Sequence, residues 1–246
     1  MTHADPAARG FVLDGAGLTV AGRVLLADLT LQLTERRIGI VGRNGSGKTS
    51  LLRLMAGLVR PSTGRVRLDG IDPAGDRKAV IRLLGLLFQN PDHQIIFPTV
   101  EEEIAFGLRQ QGRSAAEALA LARGLLATEG RAHWASAPVQ TLSQGQRQYL
   151  CLMAVLAMAP DTLLLDEPYA ALDLPAQIRL ERRLRDLPQR LILVSHDPGA
   201  LAGMDRVLWI EAGRLHRDGP AAEVLAEFSE AMIRAGGMDA DTDLAG

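Results

Sequence analysis

The chain has 246 residues, of which 47% are hydrophobic and 23% are charged, and its formal net charge is −2. These values are typical of an ordinary globular protein and argue against a chain held on nucleic acid by charge alone. The single cysteine, Cys151, excludes an internal disulfide, and its apolar neighbours favour a buried side chain over a reactive thiol. The longest apolar run, residues 149–159, is too short to cross a bilayer, and residues 1–10 lack the apolar core of a secretory signal. We therefore expect a chain that is soluble or reaches a membrane only through a partner.

The first part of the chain predicts several strands and one helix. Strand-like runs alternate with turns over residues 11–41, and "RIGIVG" at residues 37–42 is typical of a buried strand. A glycine-rich loop follows, and "SLLRLMAGL" at residues 50–58 has the leucine spacing of a helix. "PSTGRVRLDG" then predicts a turn and an edge strand, and "LLGLLFQNP" predicts another buried strand that ends at Gln89.

The rest of the chain predicts a helical insertion followed by more strands. Between Gln89 and the loop "LSQGQ" no strand-like run is evident. Two helix N-terminal capping-box patterns occur there: Thr99 with Glu102, and Ser114 with Glu117. After the insertion, "DTLLLDEP" and "RLILVSHD" are typical of parallel strands that end in polar residues, and "RVLWIEAGRLHRDG" predicts a hairpin.

These elements predict an α/β fold with an inserted helical subdomain. We divide the chain into an N-terminal extension at residues 1–10, a core at 11–89 and 143–225, a helical subdomain at 90–142, and a C-terminal tail at 226–246. The end of the tail, "GGMDADTDLAG", is polar, and we expect the tail to be partly disordered.

A complete phosphate-binding pattern, G-x-x-x-x-G-K-[ST], begins at Gly42, and we call residues 42–49 the glycine loop. A hydrophobic strand before it and an amphipathic helix after it are the context that such a loop requires. Lys48 is one of only two lysines among 27 basic residues, which indicates a site where a compact ammonium fits and a guanidinium does not. We expect the nucleotide phosphates to meet Gly42, Arg43, Asn44, Gly45, Ser46, Gly47, Lys48, Thr49 and Ser50.

Polar side chains that follow two predicted strands complete a candidate catalytic set. Asp166 and Glu167 end the strand "LLL", at the edge where α/β sheets bind ligands. Because neighbours on a strand point to opposite faces, we expect Asp166 to hold Mg²⁺ and Glu167 to orient or deprotonate the attacking water. His196 follows the strand "LILV", where a hydrogen bond to the γ-phosphate is plausible. Two solvated acids and a structural histidine are the alternative interpretation of these residues.

The order of the motifs resembles that of the ATP-binding cassette (ABC) ATPases over nearly all of residues 11–220. The resemblance is carried by "GRNGSGKT", Gln89, "LSQGQ", "LLLDEP", "ALD" at 171–173 and "SHD" at 195–197. It implies a P-loop NTPase with a mixed-sheet core, an N-terminal antiparallel β subdomain and the inserted helical subdomain. It also implies an ATPase that uses ATP and Mg²⁺, with Thr49, Gln89 and Asp166 at the metal and Gln89 near the attacking water.

The family resemblance gives a function to "LSQGQ" at residues 142–146, which we call the signature loop. In this family the loop contacts the ATP of a partner across a head-to-tail dimer, so Ser143 and Gly145 would meet the partner's γ-phosphate, and Asp173 would connect the two sites. The partner would be a second copy of the chain or a related ATPase. Taken alone, the loop is more typical of a helix N-cap formed by Ser143, with the other polar residues in solvent. Val20 falls near the position where many relatives place an aromatic residue against adenine.

The stretch "FQNPDHQIIFPTVEEEIAFGL" is similar to the ATPases of energy-coupling-factor (ECF) importers for vitamins and transition metals. In that group a groove beside this segment receives a transmembrane scaffold (T) component, which holds a small substrate-binding (S) membrane component. Gln94, Phe97 and the acids at 101–103 would lie near the groove. The acids could meet arginines of the scaffold, and they also favour a helix N-terminus, which does not exclude that contact.

The resemblance therefore implies a peripheral subunit at the cytoplasmic face of the membrane, with no nucleic acid partner. Its motifs are intact, so one chain suffices for a homodimer, which fits biotin systems slightly better than cobalt or nickel systems. The alternatives are a soluble ABC ATPase without a transport role, and a nucleotide kinase that shares the phosphate loop.

Overall fold

The structure is a computed structural model that describes residues 10–170 and 172–236. Its strands are β1 (Phe11–Val20), β2 (Arg23–Leu33), β3 (Arg37–Val41), β4 (Thr63–Leu68), β5 (Leu84–Leu87), β6 (Thr162–Asp166), β7 (Arg190–Val194), β8 (Arg206–Glu211) and β9 (Arg214–Pro220). Its α-helices are α1 (Lys48–Met55), α2 (Arg77–Leu83), α3 (Val100–Gln110), α4 (Ala115–Thr128), α5 (Gln144–Ala157), α6 (Leu174–Arg185) and α7 (Ala221–Gly236). Short 3-10 turns lie at Pro91–His93, Ala132–Trp134, Val139–Thr141 and Pro198–Leu201.

The chain forms two compact units, and the first comprises Met1–Asp72 and Ile192–Gly246. An antiparallel sheet with the order β2-β1-β4 places β4 at an edge, as the sequence predicts. In the same unit β3 runs parallel to β8, and β8 pairs antiparallel with β9, so this sheet is mixed. Apolar residues alternate along β1 and β2, so these strands are buried on one face. β3 is a continuous apolar run and is buried on both faces.

The second unit, Pro73–Leu191, combines the parallel strands β5 and β6 with the α-helices α2 to α6. β5 pairs in parallel with β6, from Leu84 opposite Thr162 to Leu87 opposite Leu165. Between β5 and β6 the described residues contain no strand, which confirms the predicted helical insertion. Apolar residues of α3, α4 and α5 share one core, whose buried members include Ile104, Ala122, Leu126, Leu150 and Met153.

The α/β fold with a mixed sheet and an antiparallel N-terminal sheet is therefore confirmed, but the predicted domain boundaries differ from the two units. Residues 73–89 and 143–191, which we assign to the core from sequence, belong to the same unit as the helices. β7 is divided between the units, because its first two residues belong to the second and the rest to the first. No described helix is long and apolar enough to cross a membrane.

Two local expectations need correction. α7 continues past residue 225, where we end the core, so residues 226–236 are helical, and the remainder of the predicted tail lies outside the described residues, as do residues 1–9. α7 is stabilised by the burial of its apolar side, which includes Val224 and Phe228. The capping box predicted at Thr99 is incomplete, since its hydroxyl donates to the Glu102 carboxylate and caps no backbone N–H. The box at Ser114 and Glu117 is complete.

Candidate nucleotide-binding and signature sites

The glycine loop joins the end of β3 to the start of α1, as its sequence context predicts. A Cβ atom at Gly42 would lie 2.2 Å from the carbonyl oxygen of Ile210, so only glycine fits beside β8. Gly47 is the N-cap of α1, with a φ of 108°, and provides no side-chain acceptor for the first turn of the helix. The first turn of α1 is therefore left without a side-chain cap, as suits a helix N-terminus that receives an anion.

The glycine loop carries two features that fit a triphosphate. Lys48 is only 7% exposed, and its Nζ donates to the carbonyl oxygens of Gly42 at 2.7 Å and Arg43 at 3.0 Å. The ammonium is thus held inside the loop by backbone carbonyls, which offset the cost of burying its charge. Ser46 is 5% exposed, and its Oγ is buried without a hydrogen-bond partner among the described residues. An orphaned hydroxyl in this loop fits a phosphate oxygen as its missing partner.

The hairpin turn between β8 and β9 supports the glycine loop. This support is not predictable from the sequence. The N–H of Gly213 donates to the carbonyl oxygen of Ser46 at 2.8 Å, and the N–H of Ala27 donates to the carbonyl oxygen of Gly213 at 2.9 Å. The turn therefore connects the loop to β2 through two backbone hydrogen bonds. The sequence signal was present only as the "AG" turn of a predicted hairpin, with no indication of what it touches.

His196 follows β7 and is exposed, and it shares a cavity of about 570 Å³ with the start of the glycine loop. The cavity is lined by Gly42, Arg43, Asn44, His196 and Pro198, and by Phe228, Ser229, Met232 and Ile233 of α7. The first unit thus brings the predicted γ-phosphate ligand His196 beside the phosphate loop. The apolar wall from α7 was missed because the predicted tail began inside that helix.

Asp166 and Glu167 are both buried at the end of β6, but they are not consecutive strand residues as we expected. Asp166 is the last residue of the strand, whereas Glu167 has a φ of 46°, in the left-handed region. The alternation of a strand therefore does not explain how the two side chains are separated. A left-handed non-glycine residue costs about 1–3 kcal/mol, and such strain is concentrated at functional sites.

The signature loop forms the start of α5. Ser143 is the N-cap, and its Oγ accepts from the N–H of Gln146 at 3.3 Å, while Gln146 Oε1 accepts from the N–H of Ser143 at 2.7 Å. The reciprocal pair is a complete capping box, so the N-cap interpretation of Ser143 is confirmed. A helix N-terminus with this geometry is also suited to an anion, so the cap does not exclude the phosphate role.

Ser143, Gly145 and Asp173 lie together on a cavity of about 390 Å³ in the second unit. Asp173 is the N-cap of α6 and accepts from the N–H of Ala176 at 2.9 Å. Two helix N-termini therefore face one cavity, and the sequence separation between residues 143 and 173 gave no indication of this. Ala171, part of the "ALD" motif, lies outside the described residues.

A network of aromatic and charged side chains borders the signature cavity. The Arg131 guanidinium lies 4.4 Å from the Tyr149 ring centroid and 5.2 Å from that of Trp134. Tyr149 donates to Glu129 Oε2 at 2.6 Å, and Arg183 of α6 donates to Glu129 Oε1 at 2.9 Å. Burial, aided by the hydrogen bond to Glu129, raises the pKa of Tyr149 above its usual value. The network connects α4, α5 and α6 beside the signature loop.

The acids at 101–103, which we expected beside a membrane-partner groove, are largely engaged within the chain. Glu103 is 5% exposed, and its Oε2 accepts from the N–H groups of Ile96 and Phe97 at 2.9 Å each. Glu101 forms an ion pair with Arg123 at 2.6 Å. These contacts occupy the carboxylates of Glu101 and Glu103 within the chain, one with Arg123 of α4 and the other with the backbone that precedes α3. Ile96, in contrast, is 69% exposed.

The predicted site residues therefore fall into three groups. The first unit holds the start of the glycine loop, residues 42–44, and His196 on one cavity, and the second holds Ser143, Gly145 and Asp173 on another. Gln89, Asp166 and Glu167 line neither cavity. The predicted metal ligands carry hydroxyl, amide and carboxylate oxygens, the donor types that Mg²⁺ prefers; Thr49 belongs to the first unit, and Gln89 and Asp166 belong to the second.

Comparison with known proteins identifies the family. The ABC transporter family model matches residues 26–170. The biotin transport ATP-binding protein BioM of Rhodobacter capsulatus is 58% identical over 86% of this chain and 90% of its own length, and BioM of Rhizobium etli is 45% identical over 88% and 96%. The structure of cbiO1 from Clostridium perfringens, part of the ABC transporter complex cbiONQ, matches with a TM-score of 0.75 and 26% identity over 94% of this chain and 95% of its own. The chain belongs to the ABC transporter family, as an ATP-hydrolysing subunit of the energy-coupling-factor type.

Proposed function

We propose that this chain hydrolyses ATP to drive the uptake of biotin, as the peripheral ATPase at the cytoplasmic face of a membrane importer. The observation that carries the proposal is the 58% identity to a biotin transport ATP-binding protein over 86% of this chain. Cobalt or nickel is the next choice of cargo, because the stretch at residues 88–108 resembles the ATPases of importers for vitamins and transition metals.

The proposed reaction is an in-line attack of water on the γ-phosphate, which yields ADP and phosphate. Lys48 and the N–H groups of the glycine loop neutralise charge on the phosphates, and the orphaned Ser46 Oγ gains a partner. Glu167 orients or deprotonates the water, and His196 donates to the γ-phosphate. Thr49, Gln89 and Asp166 would hold Mg²⁺, which would add further charge neutralisation when bound.

The signature cavity requires a second molecule in this proposal. Ser143 and Gly145 would receive the γ-phosphate that the partner ATPase binds, and Asp173 would reach the partner's site. ATP then stabilises the dimer, and hydrolysis releases it, because a ligand favours the state that binds it. A second copy of this chain suffices as the partner, since both the glycine loop and the signature loop are complete.

The proposed docking surface for the scaffold component lies in the second unit, along residues 88–97. Ile96 is exposed, and Phe97 packs against Phe106 with ring centroids 5.2 Å apart. Gln94 Oε1 accepts from the N–H of Phe88 at 3.1 Å, so the segment is held in a defined shape next to Gln89. Since Glu101 and Glu103 are engaged within the chain, we propose that apolar contacts dominate this docking.

Affinity purification of the chain from its own solubilised membranes, followed by mass spectrometry, tests the proposal. We expect one scaffold protein and one small substrate-binding membrane protein, with biotin as the ligand extracted from the latter. Cobalt or nickel in place of biotin would correct the cargo alone. Recovery of ribosomal proteins, or of no membrane protein, would favour a soluble ABC ATPase, and a phosphorylated acceptor in place of free phosphate would favour a kinase.

A further inference from the structure

The start of α5 makes two contacts with the proposed docking segment, residues 88–97. Gln148 Nε2 donates to the carbonyl oxygen of Phe88 at 3.3 Å. Arg147 Nε lies 3.1 Å from Asp92 Oδ1. This Nε is buried and has no hydrogen-bond partner of acceptable geometry, so the contact with Asp92 is an ion pair rather than an aligned hydrogen bond.

The same guanidinium also holds the signature loop. Arg147 Nη1 donates to the carbonyl oxygen of Leu142 at 2.9 Å, the residue directly before the N-cap Ser143. One side chain therefore contacts both the segment proposed for docking and the loop proposed to meet the partner's ATP. A guanidinium suits this position because its planar fork carries several donors in fixed directions.

The other end of the docking segment is attached to a different helix. Glu103 of α3 accepts from the N–H groups of Ile96 and Phe97 at 2.9 Å each. The segment is thus fixed to α3 at one end and to α5 at the other. A displacement of Asp92 by a docked partner would act on Leu142 through Arg147, whereas a displacement of Phe97 would act on α3.

We propose that Arg147 is a positioning residue that couples docking at residues 88–97 to the placement of the signature loop. The inference rests on the proposed function, because it takes both the docking segment and the role of the signature loop from it. Asp92 has a 62% exposed side chain, and exposed ion pairs contribute little to stability. The pair is therefore better measured through coupling than through the stability of the fold.

The experiment uses the complete importer, with its scaffold and substrate-binding components, in proteoliposomes. The readout is the ratio of ATP hydrolysis by the complex with its transported substrate to hydrolysis without it. We expect Arg147→Gln to lower this ratio about fivefold, the lower end of typical coupling between sites. Asp92→Asn should lower it as well, and the double variant should be no worse than Arg147→Gln, because the two residues act through one contact. Arg147→Lys should be intermediate, since an ammonium keeps the charge but loses the fork.

The matched control is Arg185→Gln, which removes another arginine ion pair of the same unit, to Glu181 at 2.6 Å, without involving α5 or the acids at 101–103. We expect this variant to keep the wild-type ratio. Additive effects of Asp92→Asn and Arg147→Gln, or an equal fall in the control, would overturn the inference. A wild-type complex that forms but shows no stimulation would instead count against the proposed function.

Discussion

The glycine loop at residues 42–49 and the signature loop at residues 142–146 both precede a helix, yet they hold their shapes in opposite ways. Gly47 gives α1 no side-chain cap, and the glycine loop is held by neighbours such as Ile210 and Gly213. Ser143 and Gln146 cap α5 reciprocally, and Arg147 donates to the carbonyl oxygen of Leu142, so the signature loop is held by its own residues and by the helix that it begins.

The difference indicates which ligand or partner completes each loop. The glycine loop keeps a buried hydroxyl, Ser46 Oγ, without a partner, as expected of a site completed by a ligand inside the same chain. The signature loop leaves no such orphan and instead borders an open cavity, as expected of a surface completed by a second molecule. The first loop should therefore respond to nucleotide, and the second to nucleotide together with a partner.

The largest expected effect comes from Glu167→Gln, which tests whether both loops serve one nucleotide. Loss of the carboxylate removes the group that handles the water, so ATP hydrolysis should fall by about 10²–10⁴-fold, as for the loss of a general base. Because ATP remains bound, the variant should migrate as a dimer in gel filtration with ATP and as a monomer without it. Glu227→Gln, which alters an exposed ion pair with Arg217, should leave both properties unchanged. A Glu167→Gln protein that stays monomeric with ATP would contradict the two-loop model.

Lys48→Ala addresses the glycine loop alone. Hydrogen bonds to charged groups contribute about 1.5–3 kcal/mol, so ATP affinity should fall by about 10- to 150-fold, measured by titration calorimetry. The chain offers a direct control in Lys78→Ala, since Lys78 is the only other lysine and lies exposed on α2. Equal ATP affinity in the two variants would refute the role assigned to Lys48.

Ser143 separates the two interpretations of the signature loop. Ser143→Asp keeps an N-cap acceptor but places a negative charge where we expect a phosphate, so the ATP-dependent dimer should weaken about tenfold or more. Ser143→Ala loses the cap and should cost about 1 kcal/mol of stability, measured by urea unfolding. The dimer is best measured in the Glu167→Gln background. If Ser143→Asp dimerises as well as the parent protein, Ser143 is a helix cap and nothing more.

The features that could be predicted from the sequence are local ones, and the features that could not are contacts between distant parts of the chain. The glycine loop was located because its pattern is local and its strand and helix are adjacent in the chain. The contacts that support this loop at Ile210 and Gly213 were not predicted. These residues are distant in sequence and contribute backbone atoms, which no side-chain pattern indicates. The cavity that joins residues 143 and 173 escaped prediction for the same reason.

Two other differences between prediction and structure arose where a local sequence pattern was misleading. The polar composition at the chain end masked the apolar face of α7, although Val224 and Phe228 have helical spacing and Phe228 packs on Trp209 with ring centroids 5.2 Å apart. The prediction applied strand alternation to Glu167, one residue beyond the end of β6, where the backbone enters the left-handed region. The structure brings His196 beside the start of the glycine loop and Asp173 beside Ser143, but the geometry that presents these residues was not available from periodicity.

The smallest expected effect at neutral pH concerns the buried side of α5, the helix that the signature loop begins. Cys151 is fully buried, and burial, more than nearby charges, raises the pKa of its thiol from 9.0 to about 12. Since the folded-state pKa lies above the unfolded one, the folded chain keeps this proton where the unfolded chain has lost it. The resulting stabilisation is complete below pH 9.0 and is lost as the pH rises toward about 12.

Cys151→Ala removes this dependence. The difference in unfolding free energy between the parent protein and the variant should therefore be constant between about pH 6 and pH 8 and should shrink by about 1.4 kcal/mol per pH unit above about pH 9. Urea unfolding at each pH measures it, and alkylation of the folded parent protein should be slow at about pH 8, because only the thiolate reacts. Rapid alkylation, or a difference that stays constant above about pH 9, would mean that this side of α5 opens to solvent. The signature loop would then rest on a mobile helix, and its self-contained cap would be the main element holding its shape.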